Sequence, residues 1–185
     1  MDENFIRDMS MFVLNLKYKR SYFRDQLIPE DIRDLVSQFR LALLALRNSP
    51  EGEQRWEALM LLIDIVGWLA AKGQYGYVDA VNEFVIPVIG WEKVSELLTN
   101  KIVDLEKRLD TLIRTPSTDE EKDQNMTILH AEISHYASYI FASDTYPLEK
   151  LAKRIFPTMQ SLARYLAIRD GDDLADIDPD IEDEE

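Results

Sequence analysis

Apolar residues recur along this chain at steps of three and four, the spacing that gathers them on one face of an α-helix. Seven segments have this period, and prolines, glycines or polar loops separate them. We predict helices at about residues 2–27, 29–47, 50–72, 75–86, 91–114, 124–142 and 147–169. The pattern therefore predicts an all-α, single-domain bundle of six to seven helices.

The third of these segments is the most apolar part of the chain. From Ala58 onward it is apolar on nearly every side, which is typical of a helix at the centre of a bundle. Its apolar run ends at Ala71 after fourteen residues and contains Asp64. A helix that crosses a bilayer needs about 20 apolar residues, so we predict a core helix and no contact with a membrane.

Helix ends are indicated by residues that start or stop helices. Ser49 is expected to cap the start of the third helix, and Gly73 is expected to end it. The following segment is short, and Pro87 and Gly90 are expected to break it into a short helix and a bend.

Two matched apolar seams occupy the second half of the chain. A polar loop at about residues 115–123 joins them. The members of the two seams are Leu98, Ile102, Leu105, Leu109 and Leu112, then Met126, Leu129, Ile133, Tyr136 and Ile140. Seams of this kind joined by a short loop predict an antiparallel helical hairpin at about residues 91–142.

Negative charge is concentrated at the end of the chain. Ten carboxylates and no Lys or Arg lie between Asp170 and Glu185, so only −4 of the formal −14 belongs to residues 1–169. We therefore expect a helical domain at 1–169 and a disordered, flexible acidic tail at 170–185.

The residue types present exclude several kinds of chemistry. There is no Cys, which removes disulfides, thiolate nucleophiles and cysteine zinc sites. The polar, acidic start differs from a secretory signal, so a cytoplasmic protein is expected. No recognisable catalytic or cofactor motif is present; we therefore predict no cofactor, no metal and no catalytic residues, and the chain is more readily explained as a non-enzyme.

Three residues are nonetheless candidates for a polar site. Asp64 lies among apolar residues, where a carboxylate needs a partner, such as an Arg or Lys of another helix or a Trp indole. His130 flanks the second seam and is expected to be partly buried at a helix interface. His135 falls opposite that seam and is expected to face solvent. Glu132 and His135 have the spacing of a di-iron ligand pair, but the second pair that such sites need is missing.

Candidate partner-binding residues fall into three groups. A basic, aromatic patch in the first helix and the acidic tail are two of them, and the tail could fold back onto that patch. The third group is aromatic and comes from the middle of the chain, although its members could equally belong to the core. The candidates are Lys17, Arg20, Arg24, Trp68, Tyr75, Tyr77, Trp91, Asp172, Asp173 and Asp176.

These features favour a protein–protein interaction module, acting as an adaptor or as an inhibitor that neutralises another protein. Its partner could be a basic or nucleic-acid-handling protein, because an acidic surface attracts positive charge. The overall negative charge argues against direct binding of nucleic acid. Two alternatives stay open: a self-assembling structural subunit that forms homo-oligomers, and an enzyme with a carboxylate or histidine site around Asp64 or His130.

Overall fold

A computed structural model describes residues 30–116, 118–143 and 146–170 of the chain. Every secondary-structure element in these ranges is helical, which confirms the all-α fold. The elements are α1 (Glu30–Asn48), α2 (Glu53–Ala71), α3 (Gly76–Ala80), a π-helical turn (Val81–Val85), α4 (Ile86–Ile89), α5 (Trp91–Arg114), α6 (Asp119–Phe141) and α7 (Tyr146–Asp170). The helix expected at 2–27 and the acidic tail lie outside the described residues.

Helix α2 lies at the centre of the bundle, as its apolar composition predicts. It packs against α1 on one side and most extensively against α6 on the other. Its fully buried side chains are Leu59, Leu62, Ile63, Val66 and Leu69. Each buried side chain of this size contributes about 1.5–3 kcal/mol, so α2 supplies much of the apolar stabilisation. No helix in the described ranges combines the length and the apolar character needed to cross a bilayer.

The predicted helical hairpin is present as α5 and α6. Nine of the ten seam residues are buried, and Leu112 is partly buried against the core. The side chain of Thr118 accepts a hydrogen bond from the Glu121 amide at 3.3 Å and so caps the start of α6. The two hairpin helices also share α7, which packs against both of them.

The boundaries of α2 agree with the predicted end and differ at the start. The Gly73 amide bonds the Ala70 carbonyl and the Gln74 amide bonds the Leu69 carbonyl, each at 2.9 Å, with Gly73 at φ +80°. This is a glycine-terminated helix end. Ser49, in contrast, donates from its hydroxyl to the Ala45 carbonyl at 2.6 Å and serves α1. Helix α2 starts later, after Gly52 at φ +112°.

The segment between α2 and α5 is more continuous than predicted. Residues 76–89 form α3, the π-helical turn and α4 without a break, and the chain turns at Gly90 with φ +103°. The wide turn lies directly ahead of Pro87, whose ring would clash with the Glu83 carbonyl in a regular α-helix. Pro87 therefore changes the winding of this segment, and Gly90 ends it.

Candidate functional site

The closest approach between helices in the described structure is where α2 crosses α6. A Cβ atom built on Gly67 would overlap the main-chain carbonyl of His135. Glycine at this position therefore lets the two backbones touch. The Tyr136 hydroxyl adds a second link between the helices, because it donates to the Met60 carbonyl at 3.0 Å.

A polar cluster of three side chains lies beside this crossing. His135 Nδ1 and Asp64 Oδ1 are 3.0 Å apart. Since an ionised carboxylate only accepts, the imidazole is the donor. The Trp68 indole stacks on the other part of the imidazole, with ring centroids 4.9 Å apart and an interplanar angle of 13°. The side chain of His135 is 12% exposed and that of Asp64 is 30% exposed.

This cluster corrects two predictions about histidine. His135 does not face solvent, because α2 packs on the side of α6 that lies away from the hairpin seam. His130 is exposed and not partly buried, since the described helices leave that edge of α6 uncovered. Asp64 does have a structural partner on another helix, but the partner is His135 and not an Arg, a Lys or an indole N–H.

A charged cluster on the other side of α6 is centred on Glu132. Its carboxylate accepts from Lys101 at 3.1 Å and from Arg108 at 2.8 Å, both on α5. Burial alone would raise the pKa of Glu132, but these two cations outweigh it and hold the pKa below its ordinary value. Burial alone would likewise lower the pKa of Arg108, and Glu132 and Asp104 raise it instead. The ion pairs therefore fasten the hairpin.

A third polar cluster connects the π-helical turn to the end of α6. The hydroxyl of Tyr139, a side chain with no exposed surface, donates to Asn82 Oδ1 at 2.6 Å. The Asn82 amide donates to the Ser143 hydroxyl at 2.9 Å, and that hydroxyl donates to the Tyr139 carbonyl at 2.7 Å. Burial raises the pKa of Tyr139 above its ordinary value. The phenol therefore stays neutral and serves as a donor.

A groove of about 400 Å³ runs beside the His135 cluster. The C-terminal end of α2, the C-terminal half of α6 and Met159 of α7 form its walls. Its floor is made of small side chains, including Ser134, Ala137 and Ser138, and two aromatic residues stand at its edge. Tyr75 is 58% exposed and Phe141 is 50% exposed, so this is an open apolar groove with a small polar component.

The predicted partner-binding aromatics fall in different places. Tyr75 lines the groove, and Trp68, 39% exposed, lies on the adjacent His135 cluster. Tyr77 packs edge-to-face on Phe39 with centroids 5.1 Å apart, and Trp91 packs against the core. The basic and acidic candidates lie outside the described residues: Lys17, Arg20, Arg24, Asp172, Asp173 and Asp176.

Sequence reasoning missed the contributions of His135 and Met159. Met159 belongs to the apolar face of α7 and carries no signal that separates a groove residue from a core residue. The signal for His135 was indirect: Gly67 interrupts the central apolar helix, and such a glycine often marks a close approach by another backbone.

The chemistry available at this site is limited. No group of three or more His, Cys, Asp or Glu side chains within the described ranges could hold a metal ion. His135 is held at Nδ1, and its Nε2 makes no hydrogen bond to any residue that the structure describes. The site therefore offers one proton-accepting nitrogen beside an apolar groove.

Comparisons with known proteins give no match. No protein-family model, no curated protein and no solved structure matches this chain. Function is therefore inferred from the groove and the residues around it.

Proposed function

We propose that this chain is a non-enzymatic protein-binding module, an adaptor or an inhibitor, whose groove between α2, α6 and α7 holds an amphipathic helix of a partner. The exposed pair Tyr75 and Phe141 at the edge of the groove carries the proposal. Aromatic side chains gain most when a partner covers them, and they dominate binding energy at interfaces.

The shape of the groove supports this kind of ligand. Small side chains on its floor leave depth for the large apolar side chains of an incoming helix, which anchor at steps of three and four residues. Ser134 and Ser138 add hydroxyl groups that fix the position of the ligand without adding charge.

Charge supports a basic partner. The chain has a formal net charge of −14, so long-range attraction favours a positively charged ligand and opposes an acidic one. A cytoplasmic setting belongs to this proposal, and the lack of Cys is compatible with it.

The test uses three designed helical peptides that share one leucine face. One has lysines on its polar face, one has glutamates, and one has the lysine composition in scrambled order. Fluorescence anisotropy of labelled peptides with the full chain should show binding of the lysine peptide only, weakening as salt rises. Tyr75→Ser and Phe141→Ser should each reduce the affinity on the order of tenfold.

Ile168→Ser is the matched control, because Ile168 is 67% exposed on α7 and does not line the groove. Equal loss in this control, or binding of the scrambled peptide with equal affinity, would reject the groove as the binding site. A dilution-dependent oligomer that Phe141→Ser dissociates would instead support the self-assembling structural subunit.

A second candidate is an enzyme that uses His135 as a general base, and the Asp64–His135 pair favours it. A carboxylate at Nδ1 orients an imidazole so that Nε2 can take a proton. Activated ester substrates provide the test. Turnover that falls equally in Asp64→Asn and His135→Gln would support this candidate, whereas turnover unchanged in His135→Gln would remove it.

A further inference from the structure

The outer face of α1 and α2 carries large apolar side chains that no described element covers. Leu41 is 66% exposed, Leu44 is 39% exposed and Leu61 is 52% exposed. Only four residues connect α1 and α2, so the two helices are antiparallel neighbours. Leu41 lies seven residues before the end of α1 and Leu61 eight after the start of α2, so both lie at the same height.

The chain enters this pair of helices from one defined end. Helix α1 begins at Glu30, which is at the same end of the bundle as the last residues of α2. A helix that precedes Glu30 and turns back at Ile28–Pro29 would run along α1 from that end. The segment 2–27 would be about 39 Å long as a helix, against about 28 Å for α1, so it can cover the whole face.

The sequence of that segment matches the face in pattern and register. Its apolar residues Phe5, Met9, Phe12 and Leu16 share one side of a helix. Leu16 and Leu41 are each twelve residues from the Ile28–Pro29 turn, which places them level with one another. Phe12 then falls at the height of Leu44.

We infer that residues 2–27 pack back along α1 and α2 as an amphipathic helix whose apolar side covers Leu41, Leu44 and Leu61. The occupant of this face is thus a segment of the same chain, and a second copy or another protein would have to displace it. The covered face shares no lining residue with the groove, so the inference is independent of the proposed function.

Disulfide trapping in the full chain tests the contact, because the chain has no Cys of its own. Leu16→Cys combined with Leu41→Cys should oxidise to an intramolecular disulfide. The control pair is Leu16→Cys with Ile168→Cys, which places the second thiol at an equally exposed position on α7. The first pair should form its bond at least about tenfold faster, as expected for a high effective concentration.

Mass spectrometry and non-reducing gels separate the outcomes. Equal rates for the two pairs, or disulfides that form between chains, would overturn the inference. Hydrogen exchange supplies a second measurement that does not need an oxidant. Phe12→Asp should raise the exchange rates of the α1 amides severalfold, while Ser10→Asp, on the opposite side of the segment, should not. Equal effects of the two substitutions would also overturn it.

Discussion

Gly67 of α2 lies directly against the main-chain carbonyl of His135 on α6, with no room between them for a side chain. Alanine normally stabilises a helix interior relative to glycine by about 0.5–1 kcal/mol. Here Gly67→Ala must push the two helices apart, and we expect the free energy of unfolding to fall by about 1–3 kcal/mol. Chemical denaturation followed by circular dichroism measures it.

Gly76→Ala is the matched control for that substitution. A Cβ atom at Gly76 meets no atom within 4 Å, and its backbone is not in the left-handed region. This variant should be as stable as the parent chain or slightly more stable. Gly67→Ala with unchanged stability would contradict the close packing of α2 on α6.

The Asp64–His135 hydrogen bond should appear as an energetic coupling between α2 and α6. A double-mutant cycle with Asp64→Asn and His135→Gln is expected to give about 1 kcal/mol, because both side chains are shielded from solvent. The exposed Asp110–Arg114 pair, at 2.9 Å, is the comparison cycle. Solvent screening should hold its coupling to about 0.5 kcal/mol or less. Equal couplings would argue against a specific role for the buried pair.

Glu132 makes the stability of the hairpin depend on pH. Its pKa in the folded chain is below its ordinary value of 4.5, so its ion pairs contribute fully above pH 4.5. The contribution is lost as the pH falls through the lowered pKa. Glu132→Gln should therefore cost about 1 kcal/mol at neutral pH, a figure reduced for the partial exposure of Arg108, and almost nothing in strong acid.

Unfolding titrations in urea at neutral and acidic pH check this difference. Glu106→Gln on α5 is the control, because Glu106 is exposed and should give a small effect with little dependence on pH. A cost of Glu132→Gln that persists unchanged in acid would show that the charge of Glu132 is not what stabilises the hairpin.

Asn82 should matter more than its partial exposure suggests. Asn82→Ala leaves the buried Tyr139 hydroxyl without its acceptor, and we expect a loss of about 1–3 kcal/mol. Adding Tyr139→Phe removes the unsatisfied hydroxyl, so the double variant should lose less than the two single losses added together. Thermal and urea unfolding measure the cycle. Asn100→Ala at an exposed position of α5 should change little, and strictly additive losses would contradict the cluster.

Hydrophobic spacing was sufficient to predict the helices, because each of them buries one continuous face. The seams of α5 and α6 are confirmed for this reason, as are the central α2 and its end at Gly73. Helix starts were less certain: Ser49 precedes α2 but bonds backward to Ala45. The π-helical turn could not be predicted, since it depends on how Pro87 and Asn82 meet neighbouring helices.

The candidate site was only partly predictable, because spacing within one helix does not reveal which other helix packs on its far side. Asp64 was recognised as a carboxylate in need of a partner, and the partner lies seventy-one residues away along the chain. His135 was placed on the wrong side because only the hairpin seam was visible in the sequence. Tyr75 was identified as a candidate, but the groove also requires Met159 from α7.

The π-helical turn at Val81–Val85 also fixes the rotational phase of the chain on either side of it. Each residue of a regular helix rotates the side-chain direction by about 100°. If the exposed Glu83 were deleted, the segment could wind regularly, but Asn82 could not reach Tyr139 while Ile86 stayed buried. One of the two contacts would swing away from its neighbour. A single extra residue thus lets one short segment satisfy a polar and an apolar neighbour at once.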